Sequence, residues 1–170
     1  MFKDMIKRLF YVIIPALLLS GCGTDNRYER STGDVQVKIS IKRLEQDLFS
    51  ANPDSVHNII PRFRAKYGEF FELYNTNVLN IGSSNNRAYP SNLGGFLSDH
   101  NMNRVYEKIQ EVHPDLDATE QKLEKGFGYY RHYFPDKQIP AIYTYMGGFN
   151  QSIVVADSVL AIGLDKYLGR

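Results

Sequence analysis

From residue 141 onward the apolar residues of this chain stop recurring every three or four positions and begin to alternate. Helical spacing precedes the change and strand spacing follows it, so the chain is confined to a fold in which helices pack on a separate sheet. Asn52 and Pro53 supply an N-cap and a first helical residue, and Val56, Ile60, Phe63 and Tyr67 form a stripe that Pro61 should kink. Residues 43–49 read as a short helical turn and 90–97 as a short helix. Met102, Val105, Ile109 and Val112 place an amphipathic helix over 101–113, stopped by Pro114. Asp117 with Glu120 resembles a capping box for a further helix, which shows Leu123, Phe127, Tyr130 and Phe134 on one face. Gly126 and Gly128 weaken that helix or admit another segment close to it. Residues 69–89 have no decisive period, and 83–87 (SSNNR) are a loop.

Strands are expected at 141–146, 152–156 and 159–164, joined by turns at 147–150 and 157–158. An earlier strand follows from Val35, Val37, Ile39 and Ile41, which alternate with Gln36, Lys38, Ser40 and Lys42. Residues 165–170 begin what reads as another helix, with no cap or polar tail, so the chain looks truncated there. The expected fold is α+β: helices on a small, mostly antiparallel sheet, incomplete at its C-terminal end.

The N-terminal residues carry a different kind of information. Lys3, Lys7 and Arg8 precede an apolar run from Leu9 to Leu19, and Ser20 and Gly21 lead directly to Cys22, the only cysteine. This is the layout of a bacterial lipoprotein signal. The small residues admit a signal peptidase, and the Cys22 thiol takes a diacylglyceryl group as a thioether. The run is too short to span a bilayer, which needs about 20 apolar residues. At about 0.8 kcal/mol per buried CH₂, two or three acyl chains hold a domain far more firmly than one. The chain therefore divides into a signal peptide (1–21), a polar, turn-rich tether (22–34) and an α+β domain (35–170).

Charge points away from nucleic acid. The 20 Lys and Arg and 19 Asp and Glu of the whole chain give +1. Lys3, Lys7, Arg8 and Asp4 leave with the signal, so the mature chain is near −1 without a basic patch. Twelve Tyr and no Trp suit half-buried positions with wet hydroxyls.

Catalytic signatures are few. His57, His100, His113 and His132 are never four apart, HExxH is absent, and there is no G-x-S-x-G. His113 suits a helix C-terminus, and His132 reads as a packed aromatic beside Tyr129, Tyr130 and Tyr133. Gly94-Gly95 and Gly147-Gly148 lack the context of a phosphate loop. Asp157 and Asp165 flank the last strand and read as a turn former and a helix cap. Tyr129, Tyr133, Tyr143 and Tyr145 suit a binding module, but core packing explains them more simply. Asp54-Ser55-Val56 and Asp157-Ser158-Val159 match a short acceptor pattern for periplasmic O-glycosylation, which makes Ser55 and Ser158 candidate acceptors. No cofactor is implied.

Three stretches together carry a resemblance. IKRLEQDLF (41–49), YYRHYFPDKQIPAIYTY (129–145) and VVADSVLAIGLDKYLG (154–169), with the signal at Cys22, resemble the gliding motility lipoprotein GldB family, matching the N-terminal portion of its longer chains. The resemblance implies a lipid-anchored cell-envelope protein with no established enzymatic activity, an accessory or scaffold component of the gliding machinery. Its partners would be the membrane and other gliding or secretion-system envelope proteins, with the domain in the periplasm. The family is also distantly similar to zincin-type metallopeptidases, which implies an alternative in which a metal-binding helix lies beyond residue 170. Only Cys22 is transferred as a functional residue.

Overall fold

In the computed structural model, residues 35–169 are described. Strand β1 (Ile41–Arg43) pairs in parallel with β2 (Ala141–Tyr145), placing Ile41 opposite Ile142 and Arg43 opposite Thr144. β4 (Val159–Gly163) pairs in parallel with the other side of β2, and β3 (Ile153–Ala156) pairs antiparallel with β4. The order is β1-β2-β4-β3. The fold is α+β as expected, but the sheet is mixed, with two of its three pairings parallel rather than mostly antiparallel. Alternation tells which faces a strand shows, not which strand lies beside it. Here β4 inserts between β2 and β3, so the three C-terminal strands are not a meander.

The expected first strand is paired only at its end. Residues 35–40 keep the alternation, with Ile39 buried and Gln36, Lys38 and Ser40 exposed, yet they carry no ladder. Continued upstream, the register sets Pro140 opposite Ile39, and a proline has no N–H to donate.

Six helices follow the first strand or lie between it and β2: α1 (Leu44–Phe49), α2 (Val56–Tyr67), α3 (Glu69–Leu73), α4 (Tyr89–Ser98), α5 (His100–Val112) and α6 (Asp117–Tyr133). Helix α2 follows a 3₁₀ turn at Pro53–Ser55 and runs on through Pro61, which sits on its wet side. Helix α3 passes directly into a π-helical turn, Tyr74–Val78. The Asp99 carboxylate caps α5 by accepting from the Met102 N–H at 2.9 Å. No such cap exists on α6, where Leu116 precedes the first residue and Glu120 faces the sheet instead of closing a capping box. Residues 164–167 form a 3₁₀ turn, not the start of a helix.

One face of the sheet carries the main core. Tyr143, Tyr145, Val159 and Ala161 pack against Leu44, Leu48, Phe63, Tyr67, Phe70, Phe71, Tyr74 and Tyr89. Phe70 stacks on Tyr143 with ring centroids 4.6 Å apart. The Tyr74 hydroxyl donates to the Met146 carbonyl at 2.7 Å, and the Tyr89 hydroxyl donates to Asn75 Oδ1 at 2.9 Å, so the polar ends of these buried rings are satisfied. Burial pushes all of Tyr67, Tyr74, Tyr89 and Tyr145 well above the usual phenol value. The buried Glu45 accepts from Arg43 Nε at 2.7 Å and from Thr144 Oγ1 at 2.9 Å, tying α1 to the β1–β2 register. The opposite face has a smaller cluster, in which Ile109, Met146 and Leu164 meet Met102, Val105, Tyr106 and Ile162.

Candidate functional site

Strand pairing sets side chains from successive strands in rows across the second face. Ile41, Ile142, Leu160 and Val155 make one row, and Arg43, Thr144, Ile162 and Ile153 make the next. Ile142 and Thr144 are buried, Leu160 and Ile162 are half-buried, and Val155 and Ile153 are 73% and 53% exposed. The apolar surface thus begins under the helices and runs out into solvent at β3. Val154 and Ala156 point the other way and pack on the main core. Strand β3 therefore shows apolar side chains on both faces and contains no charge.

The loop before β3 carries a further exposed apolar side chain. Phe149 is 47% exposed and has a φ of 64°. It is held there by the buried carboxylate of Asp165, whose Oδ2 accepts from the Phe149 N–H at 2.5 Å and the Gly147 N–H at 3.2 Å. Asn150 Nδ2 donates to the Val78 carbonyl at 2.8 Å, and Gln151 Nε2 to the Asn77 carbonyl at 3.0 Å. Gly147 is required by close approach, since a Cβ there would lie 2.6 Å from Val78 Cγ1. Gly148 has a φ of +62°, where side chains are strained. An exposed phenylalanine on a rigid, four-point-anchored loop, beside an uncharged edge strand, is suited to taking up another apolar surface or an added strand.

The other edge of the sheet is closed. On α6, Glu124 Oε1 accepts from the Ile39 N–H at 3.1 Å and Glu120 Oε1 from the Ile41 N–H at 2.7 Å. Those N–H groups would otherwise template a foreign strand.

The residues singled out in the sequence fall in scattered places. Cys22 lies outside the described residues. Ser158 is exposed in the β3–β4 turn with Asp157, which is the expected turn former, while Ser55 is half-buried ahead of α2. Asp165 is the loop clamp just described and not a helix cap. His113 ends α5 as expected, its Nε2 3.1 Å from the Tyr167 carbonyl. His57 and His100 are exposed; so is His132, set edge-on to Tyr133 instead of packed in the interior. Tyr143 and Tyr145 are core residues, Tyr129 is half-buried and Tyr133 is exposed. Among the described residues no three His, Cys, Asp or Glu side chains are placed to share a metal ion, and no helix is long and apolar enough to cross a membrane. Phe149, Ile153 and Val155 were missed. The available signal was the uncharged run Ile153–Ala156, which becomes informative only once β3 is known to be an edge.

Fold and surface together define a small α+β domain with a mixed sheet, one sealed edge and one open apolar edge. The family model described as gliding motility protein GldB matches residues 25–170, and the chain belongs to that family of gliding motility proteins. No curated protein and no solved structure matches it.

Proposed function

We propose that this protein is a lipid-anchored, non-enzymatic scaffold of the gliding machinery, tethered through Cys22 and docking an envelope partner on the β3 edge. Membership of the GldB family supports the setting, and the lipoprotein signal pattern at residues 3–22 supports the anchor. The observation that carries the scaffold role is the exposure of Ile153 and Val155 on the edge strand β3, with Phe149 exposed in the loop that precedes it. An anchored domain is confined to a surface, which raises its effective concentration for other membrane-bound proteins. The fitting partner is an extended, uncharged segment that adds main-chain hydrogen bonds to β3 and apolar side chains to its outer face.

Two changes test the reading separately. Cells producing Val155→Glu at normal levels should lose gliding while the protein stays folded and membrane-bound; unimpaired gliding would remove the edge from the mechanism. Cys22→Ser should abolish incorporation of labelled palmitate and release the protein from the membrane fraction. Labelling that persists in that variant would refute the anchor.

A further inference from the structure

A cleft of about 570 Å³ lies between the unpaired extended run 35–40 and residues 139–142. Its origin is visible in the chain. Pro140 stops the β1–β2 ladder, while Glu120 and Glu124 hold the Ile41 and Ile39 N–H groups outward against α6. The two segments therefore part like a wedge. Ile139, Pro140, Val35 and Val37 give it apolar walls, and Lys38 stands at its rim.

Arg131 closes this cleft from α6. Glu120, Glu124, Gly128 and Arg131 recur at helical spacing, so they share the face that α6 turns toward the strand. Gly128, on the same face, is buried. The two glutamates each hold a backbone N–H, whereas the Arg131 Nε is buried without a hydrogen-bond partner, and among the described residues no carboxylate lines the cleft. A guanidinium cannot shed its proton, and its fork of N–H donors matches a carboxylate.

We propose that this cleft binds a monocarboxylate on a short apolar body, the carboxylate on Arg131 and the apolar part along Ile139, Pro140 and Val37. The same chemistry is carried by the C-terminus of an extended peptide and by a short-chain organic acid. The test uses the full chain in detergent, with ¹⁵N-labelled arginine, titrated with acetyl-Ala-Ala-Val, its C-terminal amide, and butyrate. Saturable movement of the Arg131 Nε–H signal by the free-acid peptide, with none by the amide, supports the site and identifies a peptide C-terminus. Equal response to butyrate supports the site and identifies a small acid. No saturable response to either acid overturns it. Arg131→Gln should weaken binding at least tenfold, with Arg131→Lys intermediate. Ala141→Phe, which fills the cleft and leaves Arg131 in place, should have the same effect as Arg131→Gln, and undiminished binding in that folded variant also overturns the proposal.

Discussion

The two edges of this four-stranded sheet face the same hazard and answer it differently. At β1 the outward N–H groups of Ile39 and Ile41 are occupied by carboxylates from α6, a helix about 80 residues further along the chain. At β3 nothing among the described residues covers Ile153 and Val155, and the strand carries no lysine, proline or inward charge to discourage pairing. A protein that seals one edge with two directed side chains and leaves the other apolar has its open edge available for use. The closed edge also has a cost of its own kind, because holding residues 35–40 against α6 is what opens the Arg131 cleft.

The strongest way to disturb both edges at once is through the core face they share. Tyr67, Tyr74, Tyr89 and Tyr145 are neutral when folded, with burial the main cause of their raised pKa. In the unfolded chain they ionise near pH 10, so above that pH the unfolded state holds fewer protons and stability falls as pH rises. Because all four shifts have the same sign, their losses add as pH climbs past 10, and a domain's net stability is small enough to be overturned by them. Alkaline titration followed by circular dichroism should show one steep transition between about pH 10 and 12, with both edges lost together. Two separate transitions would mean that the edges belong to separate cooperative units.

A smaller effect isolates the open side. Asp165→Ala leaves the Gly147 and Phe149 N–H groups without an acceptor and should cost about 2–3 kcal/mol in chemical denaturation, with loosening confined to residues 147–151. At the sealed side, Glu120→Ala and Glu124→Ala should each cost about 1–2 kcal/mol and speed hydrogen exchange at Ile41 and Ile39 respectively. The double variant should also aggregate, because it converts the closed edge into a second open one. The smallest change is expected at Val155→Lys. At 73% exposure it removes little burial, so stability should stay within about 0.5 kcal/mol of the parent while the proposed docking is lost. A large loss of stability there would mean that Val155 is structural and the comparison between the edges is mistaken.

Much of the helical plan was legible. The stripes at Val56–Tyr67 and Met102–Val112 predicted α2 and α5 within a residue or two, because an amphipathic helix must present its apolar face at a fixed period. The densest part of the core was not legible. Phe70, Phe71, Tyr74, Val78 and Tyr89 are all fully buried, yet they lie in the stretch whose period was ambiguous. There α3 passes into a π turn, which shifts the spacing, and the buried polar Asn75 reads as surface until Tyr89 is seen donating to it. The open edge was half legible: residues 152–156 were expected as a strand, but its place at the end of the sheet was not.

By itself the sequence determined most of the succession of helices and strands, and the family. Each of these is written in local spacing or in the order of residues, and needs no distant partner. Tertiary structure alone decided that β1 pairs in parallel with β2, that β4 lies between β2 and β3, that Glu120 and Glu124 serve an edge instead of a helix cap, and that Asp165 clamps the Phe149 loop. These join residues from 16 to about 100 positions apart. Periodicity records which face of an element is apolar, and only packing selects which other face will cover it.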